Sequence, residues 1–280
     1  MTTQRKEVNL ERFYTRNITA EYIVDKLKNK PWFRSATEFL EPCAGEGVWL
    51  DTLRSRQPHT PRIAYDLDPR HRNVKKADYL KLNLGYKKGR VAIGNPPFGR
   101  RGKLAKQFIN KLADECDYIV FLLPLSFVKP TLITDINPYL HKIEEIVMGD
   151  LTFSGPDATR QKVSCVLQVW KKEPFQREKE DVVLTHPDFE FTNIGNGFPD
   201  FGVRTHGSGV GEVRTNLTGN ESKTTWRFVR VADRKNISSV VKTFTNLPIK
   251  ERALATSTKQ PCVGKRDLVE LYTSAVNGTP

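Results

Sequence analysis

Apolar positions over the first 175 residues recur in two alternating rhythms. "TAEYIVDKLKN" carries the 3.6-residue spacing of a helix starting after Thr19. "TEFLE" (37–41) is a short buried strand that runs into a glycine turn, and "GVWLDTLRSR" is the helix that follows. "RIAYD" (62–66) predicts a second strand, residues 76–79 a weak edge element, and "VAIG" a fourth strand. "LAKQFINKLADE" predicts a helix and "DYIVFLLP" a strongly apolar strand. "IEEIVMG" (143–149) and "KVSCVLQVWKK" (162–172) are two further strands with no helical pattern between them, which predicts an antiparallel hairpin at one edge.

Strands alternating with helices predict an α/β architecture: a seven-stranded, doubly wound, mostly parallel sheet with that hairpin at its edge. "KKEPFQREKED" is charged and contains Pro174, so it reads as a linker closing a first domain over residues 1–175. The texture then changes. Residues 183–232 are rich in Gly, Thr, Asn and Phe, with short β-like pieces in "DVVL", "GEVRT" and "TTWRFVRV", and "RDLVELYTSAV" predicts a last helix. Residues 176–280 are therefore expected to form a small β-rich region with a C-terminal helix.

The chain has 280 residues and no run of 18 or more apolar ones, so no membrane span is expected. "MTTQRKEVNLERF" has no apolar stretch of the kind a secretory leader needs, and an intracellular protein is expected. Four cysteines, Cys43, Cys116, Cys165 and Cys262, lie far apart with no CxxC pair, which predicts neither a disulfide framework nor a metal site. The net charge of +13 is concentrated: between Arg54 and Lys111 there are 16 Lys or Arg against three acids, Asp66, Asp68 and Asp78. That difference equals the whole excess and predicts a polyanionic partner, nucleic acid being the natural one.

Three strand ends carry candidate chemistry. "FLEPCAGEGVWL" places Glu41, Pro42, Gly45 and Gly47 between a strand and a helix, where glycines permit a tight turn and a close ligand approach. Any strand-to-helix turn uses glycines, so this alone is weak. Glu41 would stand at the mouth, able to hold a cationic group. Asp66 ends the next strand, where a carboxylate accepts two ribose hydroxyls, and Asp78 in "KKADYL" is placed to accept from an adenine amino group. Each aspartate alone is as readily a cap or turn residue. In order, they make a nucleoside site.

The fourth strand ends in Gly94-Asn95-Pro96-Pro97-Phe98-Gly99. Two prolines cannot continue a strand ladder, so a rigid loop leaves the strand tip. The Asn95 side-chain oxygen and the Pro96 carbonyl can accept the two hydrogens of an aromatic amine and free its lone pair for attack. Phe98 would stack on a base flipped from a duplex or taken from a single strand. Arg100, Arg101, Lys103 and Lys106 follow directly and favour a phosphate-bearing substrate.

This order of motifs resembles the class I S-adenosylmethionine-dependent methyltransferases, and within them the enzymes that methylate adenine N6 in nucleic acids. "RFYTRNITAEYIVDKL" is similar to the segment that precedes the glycine turn in the DNA adenine subgroup, with Phe13, Tyr14 and Thr15 matching and Arg16 in place of a proline. The resemblance covers roughly residues 12–172. It implies S-adenosyl-L-methionine as cofactor and a cofactor site of Tyr14, Thr15, Glu41, Pro42, Ala44, Gly45, Gly47, Asp66, Leu67, Asp78, Tyr79 and Asn95. It also implies a catalytic loop of Asn95, Pro96, Pro97 and Phe98, and methyl transfer to adenine N6, with DNA favoured and RNA an alternative.

The same loop is found in protein-glutamine and other planar-nitrogen methyltransferases, so a protein or small-molecule N-methyltransferase is the rival. A nucleic-acid-binding protein that kept the fold without turnover is a second. In the C-terminal region, Gly195, Gly197, Gly202, Gly207, Gly209, Gly211 and Gly219 lie among Phe198, Phe201, Arg204, His206 and Arg214. Arg204 and Arg214 are expected to contact nucleic acid there, whereas His206 reads as an ordinary loop residue.

Overall fold

A computed structural model describes residues 14–154, 160–178, 182–193, 198–258 and 260–278. The chain folds as two compact units, Met1–Lys179 and Glu180–Pro280.

In the first unit the described elements are, in chain order, α1 (Asn17–Leu27), α2 (Pro31–Arg34), β1 (Glu38–Glu41), α3 (Val48–Arg56), β2 (Arg62–Asp66), β3 (Lys75–Lys76), β4 (Arg90–Gly94), α4 (Lys103–Leu112), β5 (Tyr118–Pro124), α5 (Pro130–Ile133), β6 (Leu140–Ser154) and β7 (Arg160–Lys172). The sheet order is β3-β2-β1-β4-β5-β7-β6. Pairs are parallel as far as β5, while β7 runs antiparallel to both β5 and β6. This is the seven-stranded, doubly wound, Rossmann-like sheet with an antiparallel edge hairpin that the pattern predicts.

The side chains of β5 show why both faces are covered. Ile119, Phe121 and Leu123 enter one apolar cluster with Ala105, Phe108, Ile109 and Leu112 of α4. Val120 and Leu122 enter the other, with Ala20, Ile23, Val24 and Leu27 of α1 and Trp49 and Leu53 of α3. A strand buried on both faces reads as a continuous apolar run, as this one does. The predicted strand over 143–149 proves to be the middle of a 15-residue one. Its flanks alternate with polar residues because, at the sheet edge, one face is open. The topology reverses between β1 and β4, which is where an open α/β sheet forms its ligand crevice.

The second unit has a four-stranded antiparallel sheet, order β10-β9-β11-β8, made of β8 (Phe189–Thr192), β9 (Phe201–Arg204), β10 (Val213–Arg214) and β11 (Trp226–Val231). It also contains α6 (Ile237–Asn246), α7 (Ile249–Thr256) and α8 (Lys265–Val276). Only α8 was expected. Pro248 separates α6 from α7, and Val240, Phe244, Ile249 and Ala253 of these helices pack with Phe189, Phe201, Leu268 and Tyr272. In "DVVL", residues 182–184 form no strand. Phe13, Gly195, Gly197 and most of the N-terminal segment lie outside the described residues.

Candidate active site

A cavity opens over the tips of β1, β2 and β4. Tyr14, Thr15, Glu41, Pro42, Ala44, Gly45, Asp66, Leu67, Asp78, Tyr79, Asn95, Pro96 and Pro97 all line it. The structure thus brings together most of the cofactor and catalytic-loop residues chosen from sequence. Gly47 stands just behind, as the residue that starts α3.

The turn after β1 is built tightly. Gly45 and Gly47 have φ of +48° and +74°, a region where a side chain is strained. A Cβ on Gly45 would stand 2.7 Å from the Tyr14 ring, and one on Gly47 2.7 Å from His71 Cγ. Asp66 holds this turn from the neighbouring strand: one carboxylate oxygen accepts the Gly45 N–H at 2.7 Å and the other accepts the Asp68 N–H at 2.8 Å. Arg70 donates its N–H to the Gly45 carbonyl at 2.9 Å and lays its guanidinium 5.3 Å from the Tyr14 ring centre. Arg16, where the resembling enzymes have proline, has φ −76°, a backbone that proline also adopts.

Glu41 is not at the mouth. It is 2% exposed and forms the floor, because α3 and the tip of β4 close over the end of β1. One carboxylate oxygen accepts the Leu50 N–H at 3.0 Å. The other, Oε1, has no hydrogen-bond partner among the described residues. Burial pushes the Glu41 carboxyl well above the ordinary carboxylate range; the Leu50 N–H opposes that rise, and the charges of Asp66 and Asp51 add to it. Thr15 Oγ1 and Trp49 Nε1 are likewise buried and without partners among the described residues. Both residues line the cavity. Buried polar groups are ordinarily satisfied, so an orphaned acceptor, hydroxyl and donor around one hollow point to a ligand that completes them.

Asp78 caps the turn after β3, accepting the Leu80 N–H at 3.2 Å, and pairs with Lys81 at 3.2 Å. Tyr79 is a wall: its ring stacks on Phe108 at 5.9 Å, and its hydroxyl donates to the buried Glu115. Lys111 donates to the same carboxylate at 2.8 Å. At the tip of β4, the Asn95 carbonyl accepts from the Cys43 thiol at 3.5 Å. Burial, then the charges of Glu41 and Asp66, raise that thiol well above its usual pKa, so Cys43 is a neutral donor.

The expectation for Phe98 needs correction, and Lys106, Arg204 and Arg214 are each engaged in an ion pair. Phe98 offers no open face: it is 7% exposed, does not line the cavity, and sits in the apolar cluster that includes α1, Phe39 and Phe153. An aromatic ring beside a vacant apolar socket gains more by filling it than by facing water. Lys106 pairs with Asp135 at 2.6 Å, because its place on α4 faces the loop before β6. In the second unit Arg204 pairs with Glu212 at 3.5 Å. Arg214 pairs with Glu212 and rests 4.9 Å from the Trp226 ring, so both arginines are engaged in holding that unit together. Arg100, Arg101 and Lys103, by contrast, are exposed.

Sequence reasoning missed Trp49, Cys43, Leu104 and Phe108. The available signal for the last two was their i, i+4 spacing on the apolar stripe of α4. Trp49 and Cys43 carry no such mark.

No family model and no curated protein matches the sequence. Among solved structures the chain is similar to the 23S rRNA methyltransferase ErmE, at 15% identity over 59% of this chain and 71% of that one, with a TM-score of 0.40. It is similar to a Pyrococcus horikoshii protein named as a proposed RNA methyltransferase, at 13% identity over 62% of this chain and 92% of that one, TM-score 0.47. It is also similar to a SAM-dependent O-methyltransferase from Thermotoga maritima, at 12% identity over 61% and 71% of the two chains, TM-score 0.38. No helix among the described residues is long and apolar enough to cross a membrane, and none of their His, Cys, Asp and Glu side chains form a metal-binding group.

Proposed function

We propose that the protein transfers a methyl group from S-adenosyl-L-methionine to the N6 amino group of adenine in nucleic acid. The observation that carries this reading is the meeting of Glu41, Gly45, Asp66 and Asn95 around one hollow. S-adenosyl-L-methionine is the cofactor expected of this fold, and the residues fit it. Four carboxylates, Glu46, Asp66, Asp68 and Asp78, line the cavity together with the Glu41 carboxyl. Such a lining suits a cationic nucleoside and disfavours a polyphosphate.

In this reading Asp66 holds the ribose, Asp78 and Tyr79 border the adenine, and Glu41 with Thr15 takes the amino-acid end. When bound, the sulfonium supplies an activated methyl group. Asn95 Oδ1 and the Pro96 carbonyl accept the two amine hydrogens, which favours a pyramidal nitrogen with a free lone pair. Pro96 and Pro97 hold that carbonyl in place, so the chain contributes positioning. No general base is needed before attack, because the methylated nitrogen is cationic and acidic and loses its proton to water afterwards.

The burial of Phe98 favours one second reading. A planar amide, such as a glutamine side chain, needs no stacking face, so a protein-glutamine substrate fits the same Asn95–Pro97 loop. Incubation with radiolabelled S-adenosylmethionine and, separately, duplex DNA, single-stranded DNA, structured RNA and glutamine-containing peptide decides between them. After digestion, label in N6-methyladenine supports the proposal, and label in peptide alone overturns it.

A further inference from the structure

The acidic hollow has a basic rim on two sides, and only one follows the catalytic loop. Arg70, Arg72, Lys75 and Lys76 occupy the connection from β2 into β3, all exposed. On the other side stand Arg100, Arg101 and Lys103, also exposed. None of these seven has a carboxylate partner among the described residues. Elsewhere in the basic segment most cations are used internally, Lys88 in the turn before β4 being an exposed exception. Lys87 and Arg90 hold Glu38 at 2.9 and 2.7 Å, Lys111 holds Glu115 at 2.8 Å, and Arg56 holds Asp25 at 3.2 Å.

These seven cations fall at one end of the sheet. Lys75 and Lys76 are in register with Tyr65 and Asp66, so they lie level with the carboxylate that holds the glycine turn. Arg100–Lys103 leave the tip of β4 through the Asn95–Phe98 loop. Three strand intervals separate β3 from β4 in the sheet. At about 4.8 Å each, that is roughly 14 Å across the tips.

We infer that residues 70–76 form a second phosphate-binding flank, and that nucleic acid lies across the strand tips from β3 to β4, bridging the cavity. This rests on the reading that the substrate is nucleic acid. Charge complementarity argues for that occupant: paired basic rims, with an acidic trough between them, hold a backbone on both sides of a base that enters the trough.

The test compares Arg72→Gln/Lys75→Gln/Lys76→Gln with Arg100→Gln/Arg101→Gln/Lys103→Gln and wild type. Affinity for a 20-mer DNA duplex and for the corresponding single strand is measured from 50 to 200 mM salt, with S-adenosylmethionine affinity read separately by calorimetry. Each phosphate contact contributes about 0.9 to the logarithmic salt slope on duplex and about 0.7 on single strand. Each triple variant is therefore expected to flatten the slope by about 2–3 and weaken binding more than tenfold at low salt, with cofactor affinity within twofold. The inference is overturned if the 72–76 variant keeps wild-type slope and affinity while the 100–103 variant loses both. If wild type binds cofactor but no nucleic acid, the substrate reading itself fails. Binding to phosphatidylserine vesicles alone, lost in the 72–76 variant, would also overturn the inference by making this flank a lipid contact.

Discussion

Replacing Glu41 by Gln probes the floor of the cavity through two independent readouts. Glu41 is buried, and its carboxyl is raised well above the ordinary range, first by desolvation. A raised carboxyl binds its proton more tightly in the folded chain than in the unfolded one. Its stabilising contribution is therefore complete below the ordinary glutamate pKa and is lost as pH rises toward the elevated value. Across that window stability without cofactor should fall by up to about 1.4 kcal/mol per pH unit. Gln keeps an oxygen for the Leu50 N–H but has no proton to lose, so Glu41→Gln should abolish this slope.

The second readout is binding. A cationic cofactor end favours the charged form of this raised carboxyl, so in the pH window where it holds its proton uptake of S-adenosylmethionine should release up to about one proton. Calorimetry in two buffers of different ionisation enthalpy measures it. Exchanging a charge-assisted hydrogen bond for a neutral one costs about 1–2 kcal/mol, or roughly 5- to 30-fold in Kd. 5′-Methylthioadenosine has no amino-acid end and should bind both proteins alike. An undiminished pH slope in the variant, or equal weakening toward both ligands, would refute the assignment of Glu41.

Three further outcomes are expected. Gly47→Ala forces an alanine to φ +74° with its Cβ 2.7 Å from His71; urea unfolding should show a loss of about 1–2 kcal/mol or more, and unchanged stability would contradict the turn geometry. Glu115→Ala strips the partner from the Tyr79 hydroxyl and the Lys111 ammonium together. It should cost about 3 kcal/mol in urea unfolding, and a loss under about 1 kcal/mol would show the cluster to be idle. Lys106→Ala breaks only the pair with Asp135, so nucleic-acid affinity and its salt slope should stay at wild-type values; a slope flattened by about 0.9 would return Lys106 to the contact surface.

Much of the first unit was legible in the sequence because its signals are local. The apolar run over 118–124 could only be a central strand, and the hairpin followed from the lack of a helix between its two strands. That Glu41, Asp66 and Asn95 meet was legible because each stands at the end of a strand, where topology brings them together. What failed depended on partners distant in the chain. Asp135 engages Lys106 from 29 positions away. Phe98 is drawn into a socket shaped by α1, which nothing in Asn95–Gly99 reveals. Glu41 lies at the floor because α3 and β4 close above it. In the second unit, α6 was hidden by Thr, Ser and Asn, whose weak helix preference is overcome by packing around Phe244.

The central claim is that Asn95 grips the amine that receives the methyl group. The direct measurement is single-turnover transfer from labelled S-adenosylmethionine to an adenine-containing strand by wild type and Asn95→Ala, with cofactor Kd determined alongside. Transfer should fall by at least about 100-fold while cofactor affinity stays within about twofold. Transfer that survives at the wild-type rate, or that disappears only because the cofactor no longer binds, would contradict the claim.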